Sequence, residues 1–471
     1  MNEQETKVVV PKLSKLSLKD ETDRTQSSIA GASNEQPSPK IFKLDIDCLD
    51  ELFEYLSLQD LDSFAKTCKA MHKVAGEYFK RNYSGARIHI KENAAPELIG
   101  IGGRRSHKSS TFNQFVPNIN FKGCPESLKH YTFEPSDFGA INRLILEGKL
   151  LTEQMIDTLN VIFPKLETIQ IIVSDIYVDI YDTILKRCSN LKCFELYRLR
   201  YEPRHEFPEP ESWMCHKYPQ LEYLCLFPIP TIDNLMLIFQ NNPNIHSFLI
   251  TAEYIWEHQH ELINFKVQLD LLKVIMLRNI SSAPFFKLLN QLYEQKCYKR
   301  LHIIVTASDN QVTADDSFSA GFASLCGLEQ LDFKNGNDLL LLSDLPNLKE
   351  LIVYGENNSF EPKLIPKKFP NLQRLYIHIA NDEHILSIIQ GLPKLQMLEL
   401  NYDLDKKMTI LKLPALNTER QKVANAQKVT ICVPDEVFLR MKWSCGNGDT
   451  NLQMIEMKRL ASYNDRSEIF H

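Results

Sequence analysis

The chain has 471 residues, 44% of them hydrophobic, and 54 Lys and Arg stand against 60 Asp and Glu for a net charge of −6. That length and apolar content suit two or more folded units around a large core, while the near balance of charge gives no reason to expect nucleic acid or an anionic membrane as the main partner. The eleven Cys form no C-x-x-C pair, no apolar run nears the ~18 residues of a membrane span, and Val8-Val9-Val10 is broken at once by Pro11 and Lys12.

The expectation is therefore a protein of the reducing cytoplasm or nucleus, with buried thiols and no bound metal or cofactor. Residues 1–40 are rich in Ser, Thr, Gln, Lys, Glu and Pro and poor in aromatics, the composition of a disordered tail. From Ile41 to Tyr83 the apolar residues fall into three helical sets. Leu49, Leu52, Phe53 and Leu56 sit at i, i+3, i+4, i+7; Leu61, Phe64, Ala65 and Cys68 repeat that spacing, as do Met71, Val74, Ala75 and Tyr78. Asp47 is placed to cap the first helix and Ser57 the second, each with an Asp three residues on. Three helices in about 40 residues make a marginal core. Leu49, Leu52, Leu56, Leu58 and Leu61 are more apolar surface than such a bundle hides alone, which reads as a docking module.

On Leu49, Leu52, Phe53, Tyr55, Leu56, Asp60, Leu61 and Cys68 the segment resembles an F-box. It departs from that pattern at Asp47, where Pro is usual, and at Met71, where Trp is common. The resemblance implies binding to the Skp adaptor of a cullin–RING ubiquitin ligase. It implies an adaptor-binding set of Ile46, Leu49, Leu52, Phe53, Leu56, Leu58, Leu61, Phe64 and Cys68. Without the resemblance, the residues read as a three-helix subdomain packed on the rest of the chain.

Residues 84–125 read as a transition, with a short strand at Arg87–Ile90 and a Gly-rich basic loop at Gly100–Ser110. From 126 to 443 an apolar-x-x-apolar-x-apolar unit recurs, for example Ile141/Leu144/Leu146, Leu166/Ile169/Ile171, Leu221/Leu224/Leu226 and Leu395/Leu398/Leu400. An earlier unit, Leu128/Tyr131/Phe133, is too close to the next for a full repeat and reads as a cap. Between units the period switches to helix, as in Met155, Leu159 and Ile162 before Pro164, or Ile385, Leu386 and Ile389 before Pro393. A strand and a helix every ~25 residues resembles a leucine-rich repeat. The expected fold class is α/β: an irregular horseshoe with parallel strands inside and helices outside. The Asn or Cys that usually closes each repeat turn is missing, so unequal loops are expected. A doubly wound sheet is the alternative, disfavoured because no Gly-rich phosphate turn follows a strand. Lys428–Val433 reads as a last strand, Asp435–Trp443 as a capping helix, and 444–471 as a loose tail.

Catalytic patterns are weak: no H-E-x-x-H, G-x-S-x-G or Walker motif occurs, and His258 and His260, an H-x-H beside Glu261, read as a surface pair rather than a metal site. The inner strand face is the better candidate. With the apolar triads turned inward, Gln170, Glu195, Cys225, Met276, His302, Asp332 and Glu399 point out from the strands. Tyr197, Tyr223, Phe227, Arg278, Tyr354, Arg374, Tyr376 and His378 are the types that anchor protein interfaces. The reading is a substrate-recognition subunit that holds an unidentified protein near a ubiquitin-conjugating enzyme. The alternatives are a repeat scaffold outside ubiquitin chemistry, with the helices as its N-terminal cap, and an enzyme with a site in the groove.

Overall fold

Two hydrophobic periods alternate along this chain, and the structure follows both. The computed structural model describes residues 44–91, 97–99, 106–108, 111–122, 139–148, 153–173, 180–198, 212–227, 231–264, 267–277, 283–306, 316–333, 342, 344–353, 362–378, 382–401, 411–444 and 449–460. The tail 1–40 and the unit at Leu128/Tyr131/Phe133 lie outside these residues.

The chain opens with α1 (Ile46–Glu54), α2 (Leu58–Ala65) and α3 (Lys69–Asn82). A mixed start to the sheet follows: β1 (Arg87–Lys91), β2 (Glu97–Ile99), β3 (Ser106–Lys108) and β4 (Asn118–Lys122). β1 pairs antiparallel with β2, which pairs with β3, while β1 pairs in parallel with β4. The sheet therefore begins within the stretch expected as a transition. Its signal is the alternation in Arg87–Lys91 and Asn118–Lys122, where Ile88, Ile90, Ile119 and Phe121 are buried.

Every later strand adds in parallel to its predecessor: β5 (Arg143–Gly148), β6 (Thr168–Val173), β7 (Cys193–Arg198), β8 (Tyr223–Phe227) and β9 (Ser247–Thr251). The series continues through β10 (Leu269–Leu277), β11 (Tyr298–Thr306), β12 (Leu328–Phe333), β13 (Glu350–Val353) and β14 (Arg374–His378). It ends with β15 (Met397–Asn401), β16 (Val429–Val433) and β17 (Ile455–Arg459). β17 lies in the stretch expected as a loose tail; its Ile455 and Met457 alternate into the core. The fold is thus α/β, a solenoid-like ladder of parallel strands.

Helices intervene on one side: α4 (Glu153–Leu159), α5 (Ile180–Arg187), α6 (Ile232–Asn241), α7 (Ala252–Glu257), α8 (Gln259–Ile263) and α9 (Ala283–Glu294). Beyond them come α10 (Asp316–Ser324), α11 (Ile365–Lys368), α12 (Asp382–Gly391), α13 (Leu413–Gln421) and α14 (Asp435–Ser444). Their apolar stripes, such as Leu235, Ile238 and Phe239 of α6, share one continuous core with Leu224, Leu226, Phe248 and Ile250 from the strands. The opposite face, free of helices among the described residues, has its own small cluster of Tyr197, Cys225, Leu249, Ile275 and Ile304. Here β10 departs from expectation. Met276 faces the helices and Ile275 the open face. Its nine residues are apolar on both sides, so the period alone does not set which face is which.

Successive repeats are stitched by a device the sequence reading did not anticipate. Asn190, Asn244 and Asn371 each donate Nδ2 to the carbonyl of a proline one repeat earlier, Pro164, Pro219 and Pro346, at 2.7–2.8 Å. In these three repeats the Asn before the strand thus satisfies a carbonyl of the preceding repeat's turn.

The helical bundle touches both ends of the ladder. Phe79 of α3 stacks on Phe112, just before β4, with centroids 4.8 Å apart. Tyr78 and Tyr83 meet Arg459 at the end of β17. From β1 to β17 the parallel strands need about 67 Å of sheet at ~4.8 Å per step, yet α3 is only about 21 Å long. The ladder must curve until its ends are bridged by these helices.

Candidate functional site

Two places merit description: the helical bundle with its junction to the C-terminal end, and the open face of the ladder.

The bundle forms because its local signals agree. Ser57 caps α2 as expected: its Oγ accepts from the Asp60 N–H at 3.1 Å and donates to Asp60 Oδ2 at 2.6 Å. The α1 cap is Asp45 rather than Asp47. Asp45 Oδ1 accepts from the Cys48 N–H at 2.8 Å, and that backbone bond holds the Asp45 carboxyl below its usual range. Asp47 lies in the first turn, and Asp50 accepts from Arg81 of α3 at 2.6 and 2.8 Å. Of the adaptor-binding set, Leu49, Phe53, Leu58 and Leu61 are buried within this chain. Ile46, Leu52, Leu56, Phe64 and Cys68 are half-buried at the surface. The ladder supplies cover that the bundle lacks, because both belong to one hydrophobic core.

The junction is polar and closely fitted. Arg459 is buried, and its guanidinium donates to Asp435 Oδ1 at 2.6 Å, to the Tyr78 hydroxyl, and to the carbonyls of Glu54 at 3.0 Å and Leu56 at 3.1 Å. It lies 4.4 Å from the Phe438 ring centroid. Burial alone would lower its pKa, but Tyr83, Tyr78 and Asp435 more than offset that, and the group is raised above its ordinary value. Burial pushes the Tyr78 and Tyr83 hydroxyls up as well. Lys442 of α14, also buried, donates to Glu54 Oε2 at 2.6 Å and Glu51 Oε1 at 3.0 Å. Beside it Trp443, 71% exposed, meets Tyr55 edge-on at 6.2 Å.

On the open face the register lines up three rows. The middle row runs His89, Asn120, Ile145, Gln170, Glu195, Cys225, Leu249, Lys273 and His302 across successive strands. Much of this face is closely packed. Tyr197 and Tyr376 are buried, Tyr223 is half-buried under Lys273 at 4.4 Å from its ring, and Phe227 is exposed at the end of β8. Tyr197 and Phe227 are register partners on neighbouring strands. Arg374 is exposed between Glu350 at 4.0 Å and Glu399 at 3.5 Å. His378 ends β14. These last residues lie many strands away from the Tyr197 group, so the predicted set forms two sites rather than one. Arg278 and Tyr354 lie outside the described residues. His302 Nε2 lies 2.9 Å from Asp332 Oδ1, and both side chains are buried.

His89 and Asn120 escaped the sequence reading because they precede the first recognised repeat. The alternation in Arg87–Lys91 was the signal for His89, and that in Asn118–Lys122 the signal for Asn120. Burial, and then Lys91, Arg87 and Lys122, push the His89 imidazole down to about 4. The unfolded chain binds that proton near pH 6.5, so the unfolded state takes up more protons between pH 6.5 and 4. The His89 contribution to stability is therefore present above pH 6.5 and lost as the pH falls toward 4. Wild type is expected to lose more stability than His89→Asn between pH 7 and pH 5 in urea unfolding; parallel losses would contradict this.

Among the described residues no group of three or more His, Cys, Asp or Glu side chains is placed to hold a metal, and no helix is long and apolar enough to cross a membrane. His258 caps the end of α7 and His260 lies in α8. No protein-family model matches the chain, and comparison with curated proteins finds no match.

Proposed function

We propose that the chain is a substrate-recognition subunit of a cullin–RING ubiquitin ligase of the cytoplasm or nucleus. In this reading α1–α3 are an F-box that docks on the Skp adaptor, and the ladder, a leucine-rich-repeat horseshoe, holds the protein to be modified. The supporting observation is the half-buried set Ile46, Leu52, Leu56, Phe64 and Cys68, left at the surface of a bundle whose core is otherwise filled. Such a chain does no bond chemistry. It raises the effective concentration of a bound protein beside the conjugating enzyme.

Leu52→Asp with Leu56→Asp is the test. The double variant is expected to abolish co-purification of adaptor and cullin while the ladder keeps its wild-type circular dichroism. Two results oppose the reading: wild-type retention by the double variant, or no retention by wild type where a known F-box protein retains both.

A second reading is a leucine-rich-repeat scaffold outside ubiquitin chemistry, with the bundle as its cap. It is favoured by the burial of Leu49, Phe53, Leu58 and Leu61 within this chain and by the grip of Arg459 and Lys442 on α1. The same co-purification separates the two.

A further inference from the structure

The apolar core on the helix side of the ladder is incompletely filled at one place. A cavity of about 40 Å³ lies between α6, the α7–α8 pair, α9 and the strands β9, β10 and β11. Protein interiors leave few voids larger than a water molecule. This one has room for about three, at about 10–15 Å³ each.

Its origin is local. The neighbouring helices α6 and α9, of ten and twelve residues, each lay a long apolar stripe on the strands. Between β9 and β10 that place is taken by two short helices, α7 of six residues and α8 of five. The backbone leaves helical geometry at His258, with φ −107° and ψ 25°. The two pieces therefore do not share one stripe. Ile255 of α7 and Leu262 of α8 are all that the pair sends to the cavity, and no residue of α8 is fully buried. The covering layer is too thin to close the core beneath it.

The walls say what the space accepts. Phe239, Ile250 and Leu292 line it and are buried, while Leu262, Val267 and Cys297 are half-buried and mark where it meets the surface. The polar atoms among its lining side chains are the Cys297 thiol, a weak donor, and the Tyr298 hydroxyl, which already donates to the Leu289 carbonyl at 2.9 Å. A water needs two to four polar partners, so the space stays dry. A charged or hydrogen-bonding group would lose its water partners there and gain none. Size then selects shape. An apolar cavity of about 150 Å³ takes a benzene ring; about 40 Å³ is too small for a ring but admits the thinner end of an alkyl chain.

We propose that this cavity binds the alkyl end of a small straight-chain aliphatic molecule. The chain enters past Leu262, Val267 and Cys297 and leaves its polar end in solvent. Its methylenes supply the contacts that α8 does not make, and so hold α8 against β10 and β11. The site goes beyond the ubiquitin-ligase reading and does not depend on it, because neither α1–α3 nor the open face lines the cavity.

The test is alkylation of the full chain by iodoacetamide, read at each cysteine by mass spectrometry, in the presence of ethanol, 1-propanol, 1-butanol, 1-pentanol or benzene. Saturating 1-butanol is expected to slow alkylation of Cys297 threefold or more. The exposed Cys215 and Cys326 should react at unchanged rates. The half-saturating concentration should fall about fourfold for each added methylene, the ratio that burial of one CH₂ gives, and level off once the cavity is full. Benzene should not protect. Val267→Phe, which fills the space from its edge, should abolish protection while its urea midpoint equals or exceeds that of wild type. Should that variant not fold, Val267→Leu, larger by one methylene, should make the affinity level off one carbon earlier. The proposal is overturned if no alcohol protects Cys297, if Cys215 and Cys326 are protected equally, if benzene protects better than 1-butanol, or if the Val267 variants behave like wild type.

Discussion

Replacing Arg459 with Ala is expected to open the junction between the helical bundle and the far end of the ladder, at a cost of about 3–5 kcal/mol. The side chain joins segments almost the whole chain apart: Tyr78 and the carbonyls of Glu54 and Leu56 on one side, Asp435 and Phe438 on the other. Truncation leaves the Asp435 carboxylate half-buried without its cation and removes the donors of two carbonyls at the end of α1. It also leaves a void between the rings of Phe438 and Tyr83. Lys is a poor substitute, because a single ammonium does not reproduce a planar fork that serves several acceptors and stacks on rings. Urea unfolding checks the cost, and limited proteolysis near Tyr55 and Trp443 checks where the loss occurs. An Arg459→Ala midpoint within error of wild type would mean that the bundle is held by its apolar contacts alone.

Arg420→Leu is expected to be about as damaging, by a different route. This arginine is fully buried and has no carboxylate partner among its hydrogen bonds. It donates instead to five carbonyls: Ile389 and Leu392 at 2.7 Å each, Pro393 at 2.9 Å, Leu395 at 3.1 Å and Gln427 at 3.0 Å. Ile389 lies in the last turn of α12 and Leu392 directly follows it, where the last carbonyls of a helix have no partner of their own. A cation there also meets the negative end of the helix dipole. Burial lowers the guanidinium to about 10, which leaves it charged at neutral pH. Leucine matches much of the bulk but none of the donors, so five carbonyls lose a partner at once. A loss of about 3–5 kcal/mol is expected, read from the urea midpoint. A loss under about 1 kcal/mol would show that water replaces the side chain at that turn.

The ladder was legible because its signal is local and repeated. Leu224 and Leu226, or Leu398 and Leu400, sit two apart on strands, and Leu235, Ile238 and Phe239 keep helical spacing, so each repeat declares itself. The Ser57 cap was legible for the same reason. The α1 cap was misplaced because Asp45, Asp47 and Asp50 all satisfy the cap chemistry and only the fold chooses among them. The ends of the ladder were missed where repeats shorten to single strands, at Asn118–Lys122 and Ile455–Arg459. The Arg459 and Lys442 junction left no trace in any window of sequence, since its partners lie hundreds of residues apart. Alternation found Gln170, His302 and Asp332 on the open face but could not foresee how far neighbouring strands bury them.

The central claim is that a bundle clasped by both ends of the ladder still offers its outer face to an adaptor. Hydrogen–deuterium exchange of the full chain, with and without a purified Skp adaptor, tests it most directly. The account predicts slowed exchange across Ile46–Phe64 on adding adaptor, with Asp435–Arg459 unchanged. Unaltered exchange across Ile46–Phe64 at saturating adaptor would contradict it.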